Sequence, residues 1–198
     1  MTSLIEALEA LERLWSEQGA PVKDLLQPGL DSRAMDDLRH RVPTPPHEEV
    51  RVLLAWHDGV RDQVSGERPS DRDVGPCGFE LLNSAAAVNV IMRKSRLADR
   101  LASEFERPRS QFWQDDWFPI AVRNAVESTL VIDGTDGSVK CVYWQDGDSP
   151  STVYSDLFEL VSLWKRLLAE GYWKWMHDGW RLLRPLPTEL SPEVTFIL

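Results

Sequence analysis

Aspartates and glycines crowd residues 133–137, and both residue types are common in calcium-binding loops. An EF-hand loop requires oxygen ligands at alternate positions and a glutamate at the twelfth. Counted from Asp133, the next alternate positions hold Thr135 and Gly137, and the twelfth holds Trp144. Because this spacing lacks the required ligands, the run predicts a turn between two strands and no metal site.

A second acidic motif, Asp115-Asp116, lies between Trp113 and Trp117. Carboxylates beside aromatic rings are typical of glycoside hydrolases, so a carbohydrate-processing or carbohydrate-binding protein is one alternative. Adjacent residues in a loop rarely direct two carboxylates at one bond, whereas tryptophan is frequent at the energetic centre of protein interfaces. We therefore predict a protein-binding surface. Its expected residues are Trp113, Asp115, Asp116, Trp117, Asp146 and Asp148.

The other residues with catalytic or metal-binding potential are isolated in the sequence. The four histidines include no pair at i and i+4, the spacing that a zinc site on one helix requires. Two cysteines, Cys77 and Cys141, do not make a disulfide framework. No glycine-rich phosphate loop and no Gly-x-Ser-x-Gly motif is present in the sequence. We therefore predict that the protein is not an enzyme and uses no cofactor and no metal.

The net charge of −10 is concentrated in one part of the chain. Residues 109–160 contain nine acidic residues and three basic ones. This excess argues against nucleic acid as a partner, because phosphate binding needs positive charge. It favours a partner with a basic surface, which an acidic face attracts and orients. Acidic residues also keep small proteins soluble, and the composition alone leaves that simpler explanation open.

Length and composition predict one globular unit. The 198 residues fit a single domain with terminal extensions. No apolar run reaches the roughly 18 residues of a membrane-spanning helix. Residues 1–15 include acids where a signal peptide has a basic start and an uninterrupted apolar segment. Together with the two cysteines, these features predict a cytoplasmic protein without a membrane partner.

Apolar periodicity and turn residues predict the secondary structure. Predicted helices cover residues 4–17, 32–40, 45–58, 85–105 and 157–170. Predicted strands cover residues 78–82, 118–122, 129–133 and 139–144. Ser3 and Glu6 have the spacing of a capping box, and Gly59 is expected to end the third helix in a left-handed conformation. Residues 61–76 are polar and aperiodic, which predicts a mobile loop.

Antiparallel strands followed by a helix predict an α+β fold, with a small, mostly antiparallel sheet and helices packed on one side. The long helix carries a basic stretch, interpreted as a solvated face: Arg93, Lys94, Arg96 and Arg100. Most of the nine tryptophans are expected in the core. Residues 172–198 contain three tryptophans and are predicted to dock on the domain, because exposed aromatics at that density favour aggregation.

One stretch resembles a known family. It begins at Trp117-Phe118-Pro119, continues through a strand at 129–133 and a Gly-flanked turn to a strand at 139–144, and closes with the helix before Gly171. An earlier passage, Val42-Pro43 followed by a helical pattern that ends in Asp-Gly, is similar to the N-terminal signature of the same family. Over roughly residues 42–171 the chain therefore resembles the SMI1/KNR4 family of the SUKH superfamily.

The resemblance implies an α+β binding domain without a catalytic centre, so it assigns no catalytic residue. Many bacterial members of the family are immunity proteins that neutralise toxins, and fungal relatives are linked to cell-wall regulation. We expect one domain over residues 1–171, with an N-terminal helical extension and a docked tail at 172–198. The expected partner is a toxin domain with a basic surface. The alternative is a regulatory or scaffold module that binds an endogenous, cell-wall-related protein.

Overall fold

The computed structural model describes residues 3–61, 69–74, 78–123, 128–143, 151–187 and 190. These residues form an α+β fold with six α-helices. The helices are α1 (Leu4–Gln18), α2 (Val22–Leu25), α3 (Ser32–Arg39), α4 (Glu48–Trp56), α5 (Ser84–Phe105) and α6 (Leu157–Ala169). Within the described residues, none of them combines the length and the apolar character that crossing a membrane requires.

The described residues also form nine strands. They are β1 (Leu26–Pro28), β2 (His57–Val60), β3 (Glu80–Leu81), β4 (Trp117–Arg123), β5 (Ser128–Asp133), β6 (Val139–Tyr143), β7 (Ser151–Tyr154), β8 (Trp173–Met176) and β9 (Gly179–Leu182). Strands β3 to β7 pair in chain order as a five-stranded antiparallel sheet, while β1–β2 and β8–β9 are separate antiparallel pairs. The α+β class and the antiparallel sheet are therefore confirmed.

Strand β5 lies in the middle of the large sheet and is buried on both of its faces. The exposed fraction of each residue from Ser128 to Asp133 is at most 4%. Since side chains alternate between the two faces of a strand, both faces of the sheet are covered at its centre. The prediction of helices on one side accounts for only one of these faces.

Capping residues explain where the predicted helices begin. The Ser3 hydroxyl accepts from the Glu6 amide, and the Glu6 carboxylate accepts from the Ser3 amide, which is the expected capping box. Asn83 and Asp156 each accept from an amide in the first turn of α5 and α6. These side chains satisfy amides that have no partner within the helix. The helices predicted at the positions of α1, α3, α5 and α6 are confirmed.

The helix predicted over residues 45–58 has different limits in the structure. Helix α4 begins at Glu48 and ends at Trp56, and Gly59 lies in strand β2. Gly59 has φ +60°, and a Cβ atom there would lie 2.3 Å from the carbonyl carbon of Leu82. Only glycine allows the two backbones to approach so closely at that φ. The prediction that Gly59 ends a helix is therefore wrong, although its positive φ is real.

Asp58, the residue before Gly59, connects β2 to the start of α5. Its Oδ1 accepts from the Ser84 amide at 2.6 Å, and its Oδ2 accepts from the Ser84 hydroxyl at 3.1 Å. A carboxylate at a helix N-terminus is also favoured by the helix dipole. The Asp-Gly pair that contributed to the family resemblance therefore has a structural role, which is to fix where the longest described helix begins.

The start of α4 contacts two other elements at one end of the large sheet. Glu49 Oε2 accepts from the Leu157 amide at 2.9 Å and so caps the first turn of α6. The ring of His47 lies against Gly137 in the turn between β5 and β6, where a Cβ atom would be 2.8 Å from His47 Cε1. The start of α4 therefore contacts this end of the sheet although it is far away in sequence.

The chain after Gly171 forms a hairpin of β8 and β9, which the sequence analysis did not predict. The rings of Trp175 and Trp180 meet edge to face, with centroids 5.4 Å apart, and both residues are buried. The Trp175 amide donates to Gln18 Oε1 at 2.9 Å, and Trp180 Nε1 donates to the carbonyl oxygen of Asp73 at 3.0 Å. The hairpin thus contacts α1 and the segment that contains Asp73.

Lys94 corrects the prediction of a fully solvated basic face on the long helix. It is 3% exposed and lies on the buried side of α5 with Ala87, Ile91 and Ala98, at helical spacing. Burial, reinforced by the charge of neighbouring Arg93, lowers the pKa of Lys94 from 10.5 to about 7. Within this run, Arg93, Arg96 and Arg100 are exposed, whereas the helical period places Lys94 on the buried side.

Lys94→Met is expected to remove a pH dependence of stability. Between about pH 7 and 10.5, the folded chain binds fewer protons at Lys94 than the unfolded chain does. The free energy of unfolding should therefore rise with pH in this window, by up to about 1.4 kcal/mol per pH unit. Urea unfolding at pH 7, 8 and 9 measures the slope. The exposed Lys23→Met variant should keep the wild-type slope, and a wild-type slope in Lys94→Met would contradict the assignment.

Candidate functional site

The loop that carries Asp115 and Asp116 lies against the turn between β5 and β6. The Gly134 amide donates to the backbone oxygen of Asp116 at 2.9 Å, and the Thr135 hydroxyl donates to Asp116 Oδ2 at 2.6 Å. A Cβ atom at Gly134 would lie 2.7 Å from that backbone oxygen, so glycine permits the approach. Asp116 is therefore fixed through both its backbone and its side chain.

Arg109 fixes Asp115 and connects it to α5. Its guanidinium donates to Asp115 Oδ1 and to Asp99 Oδ1, each at 2.8 Å. It also donates to the carbonyl oxygen of Trp113 at 3.3 Å and to the hydroxyl of Ser95. The side chains of Asp99 and Asp115 remain 63% and 59% exposed. Two carboxylates are thus held by one arginine while they still face solvent.

Trp113 and Trp117 belong to the core and not to an exposed surface. They are 0% and 2% exposed, and their rings meet edge to face with centroids 5.6 Å apart. Neither indole can contact a partner in this arrangement, which corrects the prediction for these two residues. Trp117 begins the buried strand β4, and the ring of Trp113 packs against it. Asp115, between them in sequence, is exposed.

A buried ion pair underlies the turn that holds Asp116. The register pairs Trp117 with Asp133 across β4 and β5, and pairs Val131 with Lys140 across β5 and β6. Trp117, Asp133 and Lys140 therefore lie on one face of the sheet. Asp133 accepts from Trp117 Nε1 at 3.2 Å and pairs with Lys140 Nζ, which lies 5.8 Å from the centre of the Trp117 ring.

The environment of Asp133 keeps its carboxylate ionised. Burial alone would raise its pKa, but hydrogen bonds from Lys140, the Thr135 amide and Trp117 outweigh that effect, so the pKa of Asp133 is lowered. The Thr135 amide donates to Asp133 Oδ1 at 2.8 Å. The same carboxylate therefore contacts β4, β6 and the turn between β5 and β6.

Four carboxylates collect beside this fixed turn, and we name them the acidic edge; three are exposed and Asp116 is half-buried. Its residues are Asp99, Asp115, Asp116 and Asp136. Asp136 belongs to the turn itself and accepts from the Ser138 amide at 2.9 Å. Arg109 pairs with two members of the edge and leaves its charge negative. Of the predicted surface, Asp115 and Asp116 lie at this edge, while Asp146 and Asp148 lie outside the described residues.

The other described residues that could bind a metal or react as nucleophiles are buried or hydrogen-bonded within the fold. In the part of the chain that is described, no group of three or more His, Cys, Asp or Glu side chains is arranged to hold a metal ion. Cys141 is 5% exposed, and burial raises its pKa to about 11, which keeps it a thiol. His57 Nδ1 lies 2.8 Å from the carbonyl oxygen of Gln27, and its Nε2 lies 3.4 Å from Glu12 Oε2.

Sequence reasoning missed Asp99, Arg109 and the Asp133–Lys140 pair. A signal for the pair was present, because the predicted turn at 133–137 fixes the register that brings Lys140 near Asp133. No sequence signal connects Arg109 to Asp99, since the contact depends on where α5 ends relative to the sheet.

Asp133→Ala is expected to lower the free energy of unfolding by about 3 kcal/mol, because it leaves Lys140 partly buried without its partner. The double variant Asp133→Ala/Lys140→Met should be more stable than the sum of the two single changes predicts. Urea unfolding of the four proteins measures this coupling. Asp136→Ala, in the same turn but exposed, is the control and should cost less than about 1 kcal/mol. Additive single effects would contradict a direct interaction.

Comparison with known proteins leaves the structure as the basis for a functional assignment. No protein-family model and no curated protein matches this sequence.

Proposed function

We propose that this protein is a cytoplasmic, non-catalytic binding domain of the SMI1/KNR4 type that neutralises a toxin by binding a basic surface on it. The observation that carries the proposal is the acidic edge, a set of solvent-accessible carboxylates held in place by Arg109 and by the turn between β5 and β6. The order of β4, β5, β6 and α6 also supports it, since the family resemblance depends on that order.

The carboxylates of the acidic edge are ordered before any partner binds. Arg109 holds Asp115, and Thr135 holds Asp116. Immobilising a free side chain on binding costs about 0.5–1.5 kcal/mol, and side chains that are already ordered avoid part of that cost. An ionised carboxylate has about four acceptor sites, so each still has sites for a lysine or arginine of a partner. The edge therefore suits the recognition of a fixed pattern of positive charge.

Charge at such an edge acts first on the rate of association. Complementary surface charge steers two proteins toward a productive orientation and raises the association rate, while exposed ion pairs add little to final affinity. An inhibitor that shares a compartment with a toxin must capture it before the toxin reaches its target. Fast capture by an acidic edge meets that requirement.

The proposed function predicts a complex with a toxin-like protein encoded by a neighbouring gene. Co-expression of the two proteins, followed by affinity purification and size-exclusion chromatography, should give a complex, and this chain should protect cells from the toxin. Failure of both co-purification and protection would overturn the proposal. Recovery of an endogenous cell-wall-related protein instead would support the regulatory module.

Neutralising Asp115 and Asp116 tests where the partner binds. The variant Asp115→Asn/Asp116→Asn is expected to slow association about threefold to tenfold at 50 mM salt and to weaken the dependence of the rate on salt. Asparagine keeps an acceptor for Arg109 and Thr135, so the loop should remain in place. Surface plasmon resonance measures both rate constants.

The matched control is Asp36→Asn/Asp37→Asn, an exposed aspartate pair on α3 that removes the same charge. It should leave the association rate near the wild-type value. Equal effects of the two double variants would indicate a general effect of net charge, and the acidic edge would then not be the binding surface. Thermal unfolding of each variant checks that the fold is unchanged.

A further inference from the structure

Helix α5 carries a row of exposed arginines on the side that faces away from the sheet. Arg93, Arg96 and Arg100 follow one another at i, i+3 and i+7, so they lie on one face of the helix. Among the described residues, no carboxylate forms an ion pair with any of the three. What distinguishes the row is that three positive charges share one exposed face of α5 in a chain of net charge −10.

These arginines border two adjoining open hollows: the described lining of the larger belongs to α5 alone, and the smaller lies between α5 and the segment with Arg41 and Pro43. One has a volume of about 630 Å³, and the other, which extends toward Arg41 and Pro43, has a volume of about 320 Å³. The two share Met92 and Arg96, and Met92 is 49% exposed. We name this continuous surface the arginine groove. It is lined by Arg41, Met92, Arg93, Arg96, Leu97 and Arg100, among others.

The chemistry of the arginine groove specifies its ligand. Guanidinium groups recognise carboxylates through two parallel hydrogen bonds, and their weak hydration favours interface ion pairs. The exposed thioether of Met92 and the side chain of Leu97 offer an adaptable apolar floor between the arginines. From Asn89 to Arg100 the helix rises about 16 Å, which is the length of a few turns of a bound helix or a short extended segment.

We propose that the arginine groove binds an acidic segment of a partner protein, one in which carboxylates flank at least one large apolar side chain. This inference goes beyond the proposed function, because the groove is opposite in charge to the acidic edge and would need a different part of a partner, or a second partner. The carboxylates would pair with Arg93, Arg96 and Arg100, and the apolar side chain would cover Met92.

A short acidic segment fits this surface better than a nucleic acid does. A phosphate backbone carries negative charge along its whole length and would extend beyond the groove onto a chain of net charge −10. Three arginines within about two turns of α5, with Arg41 beside them, match a few carboxylates. A phosphate backbone also makes no use of the exposed Met92, whereas an apolar side chain between carboxylates does.

The experiment uses a fluorescein-labelled, amidated 15-residue peptide that repeats Glu-Leu-Glu-Glu-Ala, with fluorescence anisotropy as the readout. We expect saturable binding to the full chain at micromolar concentration in 50 mM salt, weakened at least threefold in 200 mM salt. A peptide with lysine in place of glutamate should not bind. A peptide with alanine in place of leucine should bind several-fold more weakly, and equal binding of the two peptides would contradict the contact with Met92.

The variant Arg93→Glu/Arg96→Glu should weaken binding about tenfold or more. The matched control, Arg13→Glu/Arg51→Glu, makes the same change of net charge at exposed helix positions outside the groove and should bind within twofold of wild type. Unfolding curves confirm that each variant is folded. No saturable binding at 200 µM peptide, or equal losses in the two double variants, would overturn the proposal.

A labelled 15-residue oligothymidine provides the competing outcome. If it binds more tightly than the acidic peptide and loses binding in Arg93→Glu/Arg96→Glu, the groove is a nucleic-acid site and the present proposal is wrong. Weak oligothymidine binding that is equal in both double variants would support the protein segment. None of these measurements requires the toxin. The proposal for the arginine groove can therefore be overturned while the proposed function stands, and the proposed function can be overturned while the groove proposal stands.

Discussion

The arrangement of the large sheet depends on one buried carboxylate, that of Asp133. It contacts Trp117 at the start of β4, Lys140 in β6 and the backbone of the connecting turn. A slip of one residue in the β5–β6 register would move Lys140 to the opposite face of the sheet. Asp133 would then be buried without a cation, at a cost of several kcal/mol. The ion pair therefore acts more through the specificity of the register than through its own net stability.

The candidate site follows from that constraint. Because the turn after Asp133 is fixed, Gly134 and Thr135 can hold Asp116 in one position. The same turn receives His47 from the start of α4 at Gly137, so its other side is also covered. Exposed carboxylates are usually mobile, whereas here Arg109 holds Asp99 and Asp115, and the turn after Asp133 holds Asp116. This combination of exposure and fixed position is what distinguishes the acidic edge from an ordinary solvated surface.

Local signals predicted much of the fold, whereas the site depended on information that local patterns do not contain. The capping box at Ser3 and the turn after Asp133 determine their own neighbourhoods, so both were predicted correctly. The acids beside Trp113 suggested an exposed aromatic, but Trp113 is buried because it packs on Trp117 at the start of β4, a contact that the local pattern does not contain. Lys94 was misplaced although a local signal was present, because its helical spacing from Ile91 and Ala98 puts it on the buried side of α5. The short strands at 26–28 and 173–182 show no alternation long enough to predict them.

The two charged surfaces lie on adjoining sides of α5. Ser95 lines the arginine groove and accepts from Arg109, which in turn holds Asp99 and Asp115 of the acidic edge. A uniformly basic partner is attracted to the acidic edge and repelled by the arginine groove. A uniformly acidic partner is attracted to the groove and repelled by the edge. Specificity is a difference between affinities, and repulsion of wrong partners contributes to it as much as attraction of the right one. A partner that carries both a basic surface and an acidic, apolar segment would satisfy both sides at once, because each of its charged parts would then meet the surface of opposite charge.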